Sequence, residues 1–292
     1  MLYNCLWRYR SREQLCSIAF LGIACMNEVI IMNNNDSVLI ERKDNKGIIT
    51  INRPKAMNSI NWETFDKLQS AIDELIADPD VRVIILTGAG EKAFIAGGDV
   101  NEELTLEGLA TYRWSQAGHK LCCSIENSAK PVIAAVNGYC LGGGFEFALA
   151  CDFRICSENA KFGAPEPKLG ICCGFGGDIR LPRIIGITKA KEMLMTGIMI
   201  DAQEAYRINL VNRVSTQNEL WQVIDDFCVN LMNKNRIVLE FIKKAVNNGS
   251  EMDLHRAIEF DSALWGVIAQ TNDKREGMKA FLEKRSPTWT DS

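Results

Sequence analysis

Two glutamates stand where a carboxylate is costly. Glu146 follows Gly142, Gly143 and Gly144 inside an otherwise apolar stretch, 145–151, and Glu166 sits between Pro165 and Pro167, which stiffen its loop. A carboxylate in apolar surroundings must be paired, protonated or functional. Taken singly, each glutamate reads as a structural or surface carboxylate; the combination carries the signal, because two carboxyl groups in different environments can divide general-base and general-acid duties. Glycine-rich stretches cover 93–99, 137–146 and 162–170, each where a strand should hand over to a helix. Glycines at such junctions let the backbone approach a ligand and aim free N–H groups at it. Two junctions converging on one carbonyl oxygen would stabilise an enolate or a tetrahedral oxyanion. Neither GxxxxGK[ST] nor GxGxxG occurs, so a P-loop or a dinucleotide-binding fold is unsupported.

The elements that must position these groups follow from hydrophobic period. Residues 37–43 and 47–52 flank the turn signal Asp44-Asn45-Lys46-Gly47 and predict a β-hairpin. Asn61 is a helix cap, and Phe65, Leu68, Ile72, Leu75 and Ile76 share one helical face up to Ala77. Short apolar runs at 81–87, 131–136, 153–156 and 160–162 predict buried strands. From Ile179 the chain reads as mostly helical, with Leu254, Ile258, Leu264 and Trp265 inviting packing against the core or another subunit. Strand–helix alternation followed by a helical last third indicates an α/β core with a helical annex. The expected organisation is an extension at 1–36, an α/β core carrying the site at 37–196, and a helical region at 197–292 for oligomerisation and pocket closure.

Composition narrows the classes further. The chain has 292 residues, 47% of them hydrophobic and 24% charged, enough apolar material for a large core and incompatible with disorder. Lys+Arg 33 against Asp+Glu 37 gives a net charge of −4, which offers nucleic acid no general attraction. No apolar run reaches the ~18 residues of a membrane span. Cys122/Cys123 and Cys172/Cys173 are adjacent pairs, no CxxC occurs, and His119 and His255 are isolated. The expectation is therefore reduced thiols in a cytoplasmic protein and no metal site. At the amino end, Arg8, Arg10 and Arg12 precede an apolar stretch at 15–26. That reads either as a short targeting segment or as a start assigned upstream of Met26 or Met32.

The three glycine-rich stretches, together with 52–59 (NRPKAMNS) and 281–285 (FLEKR), resemble the enoyl-CoA hydratase/isomerase (crotonase) family. The likeness runs from about Ser37 to Arg285 in the family's order, and is nearest to short-chain hydratases of the 3-hydroxybutyryl-CoA dehydratase type. It implies a spiral of β-β-α units with a carboxyl-terminal helical trimerisation region, assembled as a homotrimer or as a hexamer that is a dimer of trimers. It implies an acyl-CoA thioester as substrate, hydrated at its double bond, with no metal and no cofactor beyond the coenzyme A that is part of that substrate. By position, Gly98 and Gly143 take the two oxyanion-hole places, and Glu146 and Glu166 the two catalytic glutamates of true hydratases. Lys55, Ala56, Lys92 and Ala96 resemble the segments lining the coenzyme A groove. Gly97, Asp99, Val100, Tyr139, Gly142, Pro165 and Leu169 fall beside them, and Lys284 can approach a coenzyme A phosphate from a neighbouring subunit. Gly98 departs from the commoner Ala, which loosens that loop without removing its N–H, and Pro167 and Cys172-Cys173 alter the pocket wall; the substrate-lining stretch 101–118 would decide the acyl preference but carries no decodable pattern, so that preference stays open. Hydration of a cyclic dienoyl or carnitine-type ester, double-bond isomerisation, and a non-catalytic CoA- or RNA-binding role remain the alternatives.

Overall fold

A computed structural model describes residues 36–292; the readings made for 1–35 lie outside the described residues. The expected hairpin is present as β1 (Val38–Lys43) and β2 (Lys46–Ile51), paired antiparallel. Asp44 and Asn45 close it with φ of +50° and +61°, the left-handed pair that a tight turn of matching twist requires. Helix α1 (Trp62–Ala77) begins where Asn61 accepts the amide of Thr64 at 3.0 Å, and buries Phe65, Leu68, Ala71, Ile72 and Leu75.

Next come β3 (Val83–Gly88), β4 (Ala93–Ile95), α2 (Val100–Glu103) and α3 (Leu109–Asn127), then β5 (Val132–Val136), β6 (Tyr139–Leu141) and α4 (Gly143–Ala150). They are followed by β7 (Phe153–Ser157), β8 (Lys161–Gly163), α5 (Gly177–Ile185) and α6 (Ile187–Thr196). The rest is β9 (Ile200–Asp201), α7 (Ala202–Arg207), β10 (Arg213–Ser215), α8 (Leu220–Met232), α9 (Arg236–Gly249), α10 (Leu254–Ile268) and α11 (Asn272–Leu282).

Two sheets organise these elements. One is six-stranded in the order β1-β2-β3-β5-β7-β10, the other four-stranded in the order β4-β6-β8-β9. Successive pairs β3/β4, β5/β6 and β7/β8 place one strand in each sheet, so the chain winds as a spiral of strand-strand-helix turns. Within each sheet the spiral neighbours pair in parallel, as crossover connections demand. Both faces of β3 and β5 are covered, and every one of their residues is buried. Two strands beyond position 196, β9 and β10, complete the sheets, and α8 seals the far face of the larger one through Leu220, Ile224 and Cys228.

The cysteines among the described residues are free thiols, and Cys122, Cys140, Cys151, Cys156 and Cys228 are buried as small apolar side chains. Among the described residues no helix is long and apolar enough to cross a membrane.

Candidate active site

The site grows from the amino end of α4. Gly142 precedes the helix with φ of +51°, a conformation that favours glycine, and its own N–H is used by the carbonyl of Gly163 at 3.1 Å. Gly143 opens the helix, where a first-turn N–H has no intrahelical acceptor. All eight residues of α4 are buried, so Glu146 is carried into the interior by its own helix. The second junction lies between β4 and α2. Ile60 takes the carbonyl of Gly97 at 2.9 Å and receives the amide of Asp99 at 2.7 Å, which stretches the chain and leaves the Gly98 N–H with no acceptor among the described residues.

Glu146 is 1% exposed and Glu166 is 7% exposed, so each is an acid withdrawn from water. Glu146 Oε1 accepts the amides of Phe175 at 2.8 Å and Gly177 at 2.7 Å. Burial raises its pKa to about 7 and the neighbouring Glu166 adds to the rise, while the two amide bonds oppose it. Glu166 stands in a short 3-10 turn, Glu166–Leu169, with Oε2 buried and unpartnered and Oε1 next to Gly142. Its pKa is also raised, chiefly by burial, with Asp178 and Glu103 contributing.

One oxygen from each of these carboxylates and Sγ of Cys173 lie within 4.8 Å of one another. Burial holds Cys173 firmly as the thiol, with Glu146 and Glu166 reinforcing it. Metal ligands must be deprotonated, and Glu146 Oε1 already serves two amides, so the trio is a poor grip for a cation, while its two carboxyl groups lie close enough to exchange a proton.

A cleft of about 560 Å³ exposes these groups to a ligand. Of the residues expected in the site, Ala96, Gly97, Gly98, Val100, Gly142 and Gly143 line it, as do Glu146, Pro165, Glu166 and Leu169. Asp99 does not. It pairs with Arg53 at 2.9 Å and caps α2, and Arg53 in turn donates to the carbonyl of Ser59 at 2.6 Å, so this pair holds the loop in shape. Tyr139 is half-buried in β6, Lys55 and Lys92 are exposed, and Ala56 is half-buried in the turn Pro54–Ala56. The amide of Ala96 bonds the carbonyl of Met57 at 3.2 Å, which sets that turn beside the cleft rim. Lys284 is exposed two residues past the end of α11 and does not line the cleft.

Sequence reasoning marks 101–118 as substrate-lining without decoding it, and three features of the site become clear only in the structure. The first is α3, whose Trp114 and Ser115 form a wall of the cleft. The second is the segment 174–177, whose amides hold Glu146. Phe175 stacks on Phe147 at 5.5 Å and 6° and meets Phe65 edge-on at 5.6 Å. Ser115 Oγ donates to the carbonyl of Gly174 at 2.6 Å, and Arg180, paired with Glu126 through Nε and Nη2, donates from Nη1 to the carbonyl of Phe175 at 2.8 Å. The third is Glu103, a further carboxylate lining the cleft. The sequence signal toward it is its place in the substrate-lining stretch 101–118.

This fold recurs in known proteins. The sequence profile of the enoyl-CoA hydratase/isomerase family matches residues 41–292. The chain belongs to that family. It is 42% identical over 250 residues to the crotonyl-CoA hydratase of Syntrophomonas wolfei, covering 86% of this chain and 96% of that protein. It is 40% identical over 250 residues to the short-chain-enoyl-CoA hydratase of Clostridium acetobutylicum, again covering 86% of this chain and 96% of the relative. The crystal structure of an enoyl-CoA hydratase from Bacillus anthracis superimposes with a TM-score of 0.85 at 35% identity, over 88% of this chain and all of that one. The expected crotonase-type α/β spiral with carboxyl-terminal helices is thus the family's fold and the fold of this chain.

Proposed function

We propose that the protein hydrates a trans-2-enoyl-CoA reversibly to the 3-hydroxyacyl-CoA. The observation that carries this reading is the pair of buried carboxylates, Glu146 and Glu166, facing one cleft that is also lined by Gly98 and Gly143. The thioester oxygen would accept the N–H groups of Gly98 and Gly143, which draws electron density from the alkene and makes its β-carbon electrophilic. Glu146 takes a proton from a water as the water oxygen bonds to that carbon. Glu166 delivers its proton to the α-carbon, collapsing the enolate. A proton passed from Glu146 to Glu166 through a further water restores the starting state.

The geometry supports that division of labour. With carboxylate oxygens within 4.8 Å, one water with hydrogen bonds of roughly 2.8 Å can touch both glutamates, so oxygen and proton arrive on the same face of the double bond. Burial raises both carboxyl groups, Glu146 to about 7, so the pair takes up and releases protons closer to neutrality than exposed glutamates do. Coenzyme A is part of the substrate, and the chemistry asks for no separate cofactor. Lys55, Ala56, Lys92 and Ala96 make the coenzyme A groove in this reading, with Asp99, Val100 and Tyr139 shaping its walls. Lys284 reaches a phosphate from a neighbouring protomer. The assembly is a homotrimer or a dimer of trimers in the cytoplasm. In support, α10 buries no residue in its own protomer while exposing Leu254, Ile258 and Trp265.

The test is turnover of crotonyl-CoA, followed by loss of the conjugated-thioester absorbance and identification of the product. Rapid conversion to 3-hydroxybutyryl-CoA by the parent, lost in both Glu146→Gln and Glu166→Gln, is the expected result. A shifted alkene with no 3-hydroxy product would replace hydration by isomerisation. A folded parent with neither turnover nor coenzyme A binding would overturn the enzyme reading.

A further inference from the structure

The hydration chemistry uses two carboxylates, and the cleft contains a third that it does not need. Glu103 ends α2, is half-buried and lines the same cleft. Its place depends on Gly98: a Cβ at position 98 would lie 1.9 Å from Glu103 Oε1 and 2.6 Å from its Cδ. Any side chain at 98 would evict the carboxylate, so the glycine and the glutamate work as one device. Oε1 accepts the indole N–H of Trp114 at 3.2 Å, which pins the group against the wall of the cleft. Oε2 has no hydrogen-bond partner among the described residues. The cation of this loop, Arg53, is committed to Asp99 and Ser59. A carboxylate held open in a ligand cleft, with no ion-pair partner among the described residues, reads the charge and hydrogen-bonding of whatever lies beside it.

We propose that Glu103 is the specificity-determining group for the acyl chain, accepting a hydrogen bond from a neutral donor on that chain and excluding chains that end in a carboxylate. This rests on the enoyl-CoA reading above, in which Gly98 holds the thioester oxygen and the acyl chain leaves Gly98 past Glu103 and Trp114. A like charge brought to about 5 Å at an effective dielectric of about 20 weakens binding by roughly 10- to 100-fold after partial screening. A hydroxyl there instead satisfies Oε2, which a plain hydrocarbon would leave desolvated and unpaired.

The experiment compares kcat/KM at pH 8 for three six-carbon substrates of one backbone. These are trans-2-hexenoyl-CoA, its 6-hydroxy derivative, and 5-carboxy-trans-2-pentenoyl-CoA. The parent is expected to prefer the hydroxylated chain and to disfavour the carboxylated one by roughly 10- to 100-fold relative to hexenoyl-CoA. In Glu103→Gln, which keeps the volume and an acceptor for Trp114, the carboxylate-to-hexenoyl ratio should rise at least about tenfold. Glu103→Met should raise the same ratio and abolish the hydroxyl preference, and it serves if the Gln variant folds poorly. Ratios within twofold of the parent in a folded variant overturn the proposal while leaving hydratase activity standing. Failure of the folded parent to hydrate hexenoyl-CoA or crotonyl-CoA overturns the hydratase reading and this proposal with it.

Discussion

Helices α4 and α10 belong to one chain and face opposite worlds. Every residue of α4 is buried, and none of α10 is. In α4 burial is what makes chemistry available: a carboxylate placed there is half-neutralised near pH 7, and a first-turn N–H without an intrahelical acceptor lies at the cleft. In α10 the apolar side chains of Leu254, Ile258, Trp265 and Val267 remain in water, so their burial is left to another surface. The contrast separates residues proposed to serve the reaction from residues proposed to serve assembly, and it can be broken at several points.

The largest effect belongs to the buried acids. Glu146→Gln and Glu166→Gln should each lower kcat for crotonyl-CoA by about 10²–10⁴-fold, the usual contribution of a positioned acid or base. Circular dichroism should not change, since Gln retains an acceptor for the amides of Phe175 and Gly177. Turnover near the parent level in either variant would remove that glutamate from the reaction.

Packing comes next. Phe147 is fully buried in α4 and stacked on Phe175, and truncation to Ala should cost about 3–5 kcal/mol of unfolding free energy. Trp265→Ala in α10 should instead weaken self-association, read by light scattering as a smaller mass, and shift the stability of the separated protomer by less than about 0.5 kcal/mol. Equal destabilisation of the separated protomer by both would erase the distinction between the two helices.

A third test couples charge to folding. Glu146 binds its proton more tightly folded, at about 7 against an ordinary 4.5, so the stability conferred by the neutral form is complete below pH 4.5 and is lost as pH rises through about 7. Against Glu146→Gln, the parent should lose about 3 kcal/mol over that window. Denaturant titrations at pH 4.5, 6 and 8 should therefore diverge and then run level. Parallel curves would mean the carboxylate is not desolvated. The smallest effect is in kinetics: with Glu146 as base, kcat/KM should fall with acid below about pH 7, by about tenfold per unit at the steep limit. A flat profile from pH 5 to 8 would count against Glu146 titrating in the free enzyme.

Local signals read the scaffold well where the chain acts within a few residues. The Asp44-Asn45 turn, the Asn61 cap, the apolar strand before Asn137 and the glycine entry to α4 all formed as their sequences demand. The misses have a common cause. The strands β4, β6 and β9 are two or three residues long, too short for a period of two to show. Helix α3 carries polar residues around most of its circumference, and its buried Trp114, Leu121, Cys122 and Ile125 declare a face only once α1 and α4 lie against it. At Gly98 the structure adds what no local pattern contains: a Cβ there would meet Glu103, five positions along the chain.

By itself the sequence determined which chemical groups the protein owns and roughly where each enters an element: two glutamates 20 positions apart (166 − 146), two glycine junctions, and a helical last third. Residue type and local period suffice for that, because caps, turns and amphipathic faces are decided by neighbours in the chain. Tertiary structure alone decided what those groups do. The spiral brings Gly98, Glu146, Glu166 and Phe175 to one cleft, and burial in it moves both carboxyl pKa values upward. The amides that grip Glu146 come from residues 29 and 31 positions further along. Desolvation and long-range hydrogen bonding depend on what folds against a side chain, and no window of sequence contains that.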